Sequence, residues 1–377
     1  MKKGENPTIY VTRDRERASS MPENEAYSIV SGDSLKDTFE LLSDPEVQEE
    51  IKEKKASVLV FKNNPQIEKY AKENGINLLN PSAALAEKIE NKITQVEWLS
   101  NLVELLPSHK IDLVKNISWE KKPFIVQWSH SHTGDGTLLI QKEKDLEEIK
   151  NKFPERDARV TEFIKGPMFT VNSVVCSDKI LVGNISYQIT GNLPFTENPF
   201  STIGNDWGLT YSILTESQVQ EITKMALVIG EKLKKDGWKG LFGLDVIYDE
   251  ERDKLFLIEI NARQPASTTY ESELQTILRS DGVPGITTFE AHLAALKDEP
   301  VTGSLVEIND GAQIIQRVTN TTKKLDTSKL KQAGYKVIEY PNTKLNSDLV
   351  RIQSLQGIME THNKFNKRGK EIVELLG

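Results

Sequence analysis

The sequence predicts an α/β chain built from several modules, and three observations carry that expectation. Short apolar strands alternate with helical segments over roughly the first ninety residues. Near the middle, two apolar runs joined by a charged turn read as a β-hairpin that holds carboxylates where a strand should hold none. Beyond about residue 301 the pattern changes to short strands closed by a terminal helix. At 377 residues the chain is too long for one small core and suggests roughly two to four modules.

Hydrophobic residues make up 37% of the chain and charged residues 28%, an ordinary globular balance. A net charge of −8 speaks against a nucleic-acid partner, whose footprint is a basic patch, without excluding a nucleotide held at a local basic site. The single cysteine, Cys176, allows no internal disulfide and suggests a reducing compartment. Lying between Val174-Val175 and Ile180-Leu181, it reads as a buried, inert thiol. Residues 1–7 lack the apolar run of a signal peptide, and no stretch approaches the ~20 apolar residues of a membrane helix. A cytoplasmic location and no membrane partner are expected.

In chain order, Thr8–Thr12 and Ala56–Phe61 are compact apolar strands. Gln66–Gly75 reads as a helix stopped by glycine, and Ile76–Leu79 as the next strand, so a parallel sheet is expected. No Gly-x-Gly-x-x-Gly run is present, and Asn80-Pro81-Ser82 marks a boundary. Glu90–Leu99 reads as a helix. Pro123–Trp128 is a strand running into Ser129-His130-Ser131-His132-Thr133-Gly134-Asp135-Gly136-Thr137, then the strand Leu138–Gln141. Such a small-residue loop can wrap backbone N–H groups around a phosphate, or it is a plain hairpin turn. His130 and His132 make only a weak metal site without a third ligand.

Arg159–Ile164 is a strand broken at Gly166-Pro167. The irregular, polar stretch 188–211 reads as a wall for an acceptor substrate. A helix begins near Thr215, with Gln218 at capping-box spacing; Val219, Ile222, Met225, Ala226, Ile229 and Leu233 form its apolar face, and Gly237 ends it. In the C-terminal part, 311–318, 335–340 and 349–353 are strands and 366–376 a helix.

The hairpin carries the chemistry. Leu241–Tyr248 is apolar except for Asp245, and Lys254–Arg263 contains Glu259, Asn261 and Arg263, which share one strand face. Pairing of Tyr248 with Lys254 would put Asp245 on that face too. An uncompensated carboxylate there is costly, so a cation should accompany it. Two acids and an amide oxygen suit Mg²⁺, which usually also takes phosphate oxygens, and Arg263 adds a planar cation. The alternative is a buried salt bridge from Arg263 to Asp245 or Glu259 with no metal.

The order Asp…Glu-x-Asn-x-Arg, ending Asn261-Ala262-Arg263-Gln264-Pro265-Ala266-Ser267, resembles the magnesium-nucleotide motif of the ATP-grasp superfamily. It looks most like members that join a carboxylate to an amine, the pyrrolysine-biosynthesis ligase among them. The resemblance implies an α+β ATP-grasp fold of biotin-carboxylase-like architecture. An N-terminal Rossmann-like domain (1–88) would precede a small lobe with the phosphate loop (89–164), a large lobe with the Mg-ATP hairpin (165–300) and a small β-rich C-terminal domain (301–377).

It also implies ATP and Mg²⁺, with Mn²⁺ as an acceptable substitute, and metal ligands Asp245, Glu259 and Asn261. Arg263 would be catalytic, stabilising the transferred phosphoryl group. The ATP-binding set would be Lys92, Gln127, His132, Gly134, Gly136 and, through the backbone of the hinge, Glu162, Phe163 and Ile164. For Lys92 the bland alternative is a solvated lysine on a helix face, and for the hinge a mere edge strand. Gln127 departs from the lysine most members carry there. Arg317 is a strand arginine that either faces the site or lies on the surface.

The implied reaction is ADP-forming: a carboxylate becomes an acyl phosphate, and an amine displaces phosphate from it. The partners would be these small molecules, and a homodimer is compatible with the class. Alternatives are bicarbonate activation and a nucleotide-binding protein without catalysis. No Gly-x-x-x-x-Gly-Lys-Ser/Thr run is present, which removes the P-loop reading.

Overall fold

The computed structural model describes residues 6–21, 27–31, 36–129, 136–322 and 324–376. Four parallel-paired strands open it: β1 (Thr8–Val11), β2 (Tyr27–Val30), β3 (Ser57–Val60) and β4 (Asn77–Leu78), in the order β2-β1-β3-β4. The parallel sheet expected from the strand–helix alternation is therefore present. Asn64 caps the helix Pro65–Glu73 by accepting from Ile67 N at 2.9 Å, and Gly75 turns the chain away at φ +66°, a value glycine adopts without strain.

A second sheet, wholly antiparallel, holds β5 (His109–Leu113), β6 (Phe124–Trp128), β7 (Thr137–Ile140) and β8 (Asp157–Glu162) in the order β5-β8-β6-β7. Leu146 and Ile149 of the helix Glu143–Lys152 pack into its core with Val126, Ile140 and Ala158. Chain reversal from this sheet to the next passes Gly166, where a side chain would collide with the Tyr248 carbonyl: a Cβ would lie 1.9 Å from that oxygen.

The largest sheet contains eight strands. They are β9 (Met168–Val175), β10 (Ile180–Thr190), β11 (Thr202–Asp206), β12 (Gly240–Asp249), β13 (Lys254–Asn261), β14 (Ala312–Arg317), β15 (Lys336–Glu339) and β16 (Asp348–Ser354). Their order is β13-β12-β9-β10-β11-β14-β16-β15. The β-rich C-terminal region thus continues the sheet of the preceding segment, because β14 pairs directly with β11. Helix Glu216–Lys235 buries Ile222, Met225, Ala226, Ile229 and Leu233 against this sheet, and its Thr215–Gln218 capping box forms in both directions.

The stretch 188–211 differs from expectation. Its first residues extend β10, and Thr202–Asp206 form β11; Gln188, Asn205 and Asp206 are buried. Asp206 accepts from the Ile358 and Met359 amides, so this carboxylate serves the fold's own backbone. Cys176 is buried as expected, and burial first, then Asp178, pushes its thiol up to about 11.

Candidate active site

The central hairpin folds in a register that the sequence alone does not reveal. Asp249, not Tyr248, pairs with Lys254, and Tyr248 pairs with Leu255. Continued without interruption, that ladder would set Asp245 opposite Ile258, on the face away from Glu259. A bulge intervenes: Val246 pairs with Leu257 but Asp245 pairs with Glu259, leaving Ile258 as the extra residue. The expected shared face is real, and a bulge creates it.

On that face Asp245 is buried. Its Oδ1 accepts from Thr170 Oγ1 at 2.8 Å and Gln188 Nε2 at 3.1 Å, and its Oδ2 accepts from Asn261 Nδ2 at 3.2 Å. Burial, and next the Glu259 charge, push the Asp245 carboxyl up to about 6. Glu259 keeps 31% side-chain exposure and meets Lys92 Nζ at 2.7 Å. Burial raises its carboxyl, but Lys92 and Arg263 outweigh that and hold it below the usual range.

Lys92 is 4% exposed, so it is not a solvated helix residue. The helix expected over 90–99 is broken at this point: Ala83–Glu90 ends, Asn91 Oδ1 accepts from Ile93 N, and a new helix starts at Thr94. Placing Lys92 in the break aims it at the hairpin, and its amide donates to Ser129 O at the end of β6. Burial lowers the ammonium's pKa although Glu259 opposes the shift.

Arg263 is ion-paired to Glu90, which also binds Lys62 at 2.7 Å. The buried salt bridge from Arg263 to Asp245 or Glu259 is therefore not the arrangement found. Next to these groups opens a cavity of about 450 Å³ lined by Phe61, Lys62, Glu90, Ser129, Glu259 and Arg263, among others. Most of its lining comes from residues 37–90, joined by Ser129, Glu259 and Arg263.

These positions bring Lys62, Glu90, Lys92, Glu259 and Arg263 to one cleft. A family model described as an ATP-grasp domain matches residues 89–267, which hold Lys92, Glu259 and Arg263. No curated protein matches the sequence. Solved structures share the fold along nearly the whole chain. One is an N5-carboxyaminoimidazole synthase from Aspergillus clavatus in complex with ADP and 5-aminoimidazole ribonucleotide, at 14% identity, TM-score 0.68, covering 98% of each chain. An L-amino acid ligase from Bacillus licheniformis matches at 15% identity and TM-score 0.63, over 98% of this chain and 96% of that one. The biotin carboxylase domain of a Hydrogenobacter thermophilus 2-oxoglutarate carboxylase, in complex with ADP, MgADP and bicarbonate, matches at 12% identity and TM-score 0.63, over 93% and 86%.

Within the matched segment, Gly136 accepts from Trp128 N, while His132 and Gly134 lie outside the described residues, as does His130. Gln127 is buried, its oxygen held by Arg159. At the hinge, the Glu162 amide donates to Ser108 O and the Glu162 carboxylate pairs with Arg252, so the donor expected there for adenine is taken. Phe163 and Ile164 make no backbone hydrogen bonds among the described residues. Arg317 is neither at the site nor on the surface: it is buried and paired with Asp348. Among the described residues no three His, Cys, Asp or Glu side chains stand together as a metal site. The candidate donors remain two carboxylates and the Asn261 carbonyl oxygen, which accepts no hydrogen bond from a described residue.

Sequence reasoning missed Arg159, Glu90 and Lys62. For Arg159 the local sequence gave little signal, because its strand also carries Asp157, Thr161 and Glu162.

Proposed function

We propose that the chain is an ADP-forming ligase that activates a carboxylate as an acyl phosphate and couples it to an amine. The observation that carries this reading is the bulged hairpin, which sets Asp245, Glu259 and Asn261 on one face beside Lys92 and Arg263, at the rim of the cavity. That donor set fits a hard divalent cation: all three groups offer oxygen, and Asp245 is desolvated with only neutral hydrogen-bond partners. A bound Mg²⁺ would neutralise phosphate oxygens there.

The protein's own groups do the rest by position and charge. Lys92, freed from Glu259, would donate to the phosphates, and Arg263 would stabilise charge on the group in transfer. A carboxylate oxygen bonds to the γ-phosphorus as the bond to the ADP oxygen breaks. The amine nitrogen then bonds to the acyl carbon, phosphate leaves, and the nitrogen gives up a proton. No protein nucleophile is needed, which agrees with the buried Cys176. The cavity's mixture of Lys62, Arg263 and several acids suits a small acceptor carrying both charges.

The test is product analysis with panels of carboxylates and amines. ADP and orthophosphate in equal amounts support the reading, and AMP with pyrophosphate overturns it. Bicarbonate as the carboxylate is the second reading, supported by the two carboxylating enzymes among the similar structures. ADP release that depends on bicarbonate, and not on organic carboxylates, would select it.

A further inference from the structure

Arg159 is a buried charge that the reading above does not use. It is 2% exposed, and no carboxylate among the described residues pairs with it. Its Nε and Nη2 both donate to Gln127 Oε1, at 3.0 and 2.8 Å. Its Nη1 donates to Gln95 Oε1 at 3.1 Å, and Nη2 also reaches the Ile258 carbonyl at 3.3 Å. Every acceptor is neutral. Burial depresses the guanidinium to about 10, which still leaves it charged at neutral pH.

A buried cation whose direct contacts are all dipoles is expensive even with the Glu259 charge nearby, and the protein holds it beside a second buried cation, Lys92. Gln95, which binds Arg159, belongs to the helix that follows Lys92. Ile258, the other acceptor, is the extra residue of the hairpin bulge next to Glu259. Arg159 thus ties together the supports of Lys92, Glu259 and Gln127.

The contact also fixes Gln127. A guanidinium has five donors and no acceptor, so the amide must turn its oxygen to Arg159 and its nitrogen away. That Nε2 donates to no described residue. Gln127 shares the Arg159 Nη2 with Ile258, the bulge residue beside Glu259, so its amide stands next to the charged face of the hairpin.

We propose that Arg159 and Gln127 form one anion-binding unit: the Arg159 charge orients and polarises the Gln127 amide, whose Nε2–H is presented to a polyphosphate in the cleft. Gln127 is the contact and Arg159 the positioning residue. The inference rests on the nucleotide-dependent reading above and assigns it a cation that does not touch the ligand. It also reverses a simple expectation. A lysine at 127 would not add useful charge; it would set an ammonium against an unpaired guanidinium.

The test is calorimetric titration of the full chain with ATP–Mg²⁺ and, separately, with adenosine. Gln127→Glu gives Arg159 a carboxylate, so the variant should fold at least as well as the parent. It also replaces the donor by an acid, so ATP affinity should fall roughly tenfold or more while adenosine binding holds. Arg159→Lys, which cannot fork onto Oε1, should lose ATP affinity in the same selective manner but less. Unchanged ATP affinity in Gln127→Glu overturns the proposal, and so does an equal loss for ATP and adenosine, which would mean only a scaffolding role. If the parent protein itself binds no ATP, the nucleotide reading fails at its root.

Discussion

Two buried charge clusters sit at different places along the eight-stranded sheet, and their opposite electrostatics separate structure from function. Near β14 and β16, Arg351 stands 3.3 Å from Glu16 and 3.5 Å from Asp348, Arg317 pairs with Asp348, and Arg17 adds a contact at 3.8 Å. Tyr340 donates to Glu16 and accepts from Arg351. Burial raises the Asp348 carboxyl, but Arg317, Arg351 and Arg17 bring it below the usual range; Arg351 is shifted up despite burial. Folding stabilises the charged forms there. The cluster joins the N-terminal segment to the C-terminal strands, and its charges are paired among themselves.

At the hairpin, Glu90 and Arg263 follow the same paired pattern, but three groups do not. Asp245 is pushed up, and Lys92 and Arg159 are pushed down, each chiefly by burial. Desolvation wins where partners are neutral or shared. A cluster left short of compensation is where an outside polyanion and cation would be most stabilising.

The largest test of this contrast is Arg351→Met. It removes the guanidinium from Glu16 and one of three from Asp348, and denaturant unfolding should show a loss of about 3–5 kcal/mol. A loss near zero would mean that this cluster is not structural. Next, Glu259→Gln should lower ligase turnover by about 10²–10³-fold while circular dichroism keeps the native spectrum. Full turnover at limiting Mg²⁺ would remove Glu259 from the metal role.

Asp245→Asn sharpens the comparison through its sign. The folded pKa of Asp245 lies near 6, above the ordinary 3.8, so its contribution to stability is full below about pH 4 and lost as pH rises through about 6. The amide variant should therefore be more stable than the parent at pH 7.5 by about 2 kcal/mol, with the gain vanishing by about pH 4. Asn261 can turn its own amide over to receive the new donor. For Asp348, whose carboxyl is held low, the same substitution should destabilise above about pH 4. Equal signs at the two sites, in thermal melts across pH, would break the distinction. The smallest effect belongs to a solvated pair: Lys239 and Asp298 touch, but their side chains are 49% and 63% exposed. Lys239→Ala should shift stability by less than about 0.5 kcal/mol.

Much of the fold was legible in local pattern. The parallel N-terminal sheet, the Thr215–Gln218 capping box and the apolar face of the following helix all form as their spacing suggests. Within the candidate site, acids in apolar strands marked Asp245 and Glu259 before any coordinates. The register was less accessible. A slip of one residue separates the right face from the wrong one, and the bulge at Ile258 left no clear mark in the residue types. The stretch 188–211 reads as irregular because its Asn, Asp, Pro and Gly residues mask the end of β10 and the strand β11. Asp206 in fact caps backbone amides 152 and 153 positions away, a demand that no local window contains.

By itself the sequence determined that Asp245 and Glu259 must be compensated, because a carboxylate in an apolar strand carries its desolvation cost in any fold. It also determined the start of the helix after Thr215, because a capping box acts over three residues. The tertiary structure decided which charge compensates which. Lys92 meets Glu259 across 167 residues, Arg263 meets Glu90 across 173, and Arg159 meets only neutral oxygens. Those pairings depend on strand register, on one bulge and on the docking of three modules. Coulomb and hydrogen-bond energies fall off over a few ångströms, so a shift of one residue would change every partner.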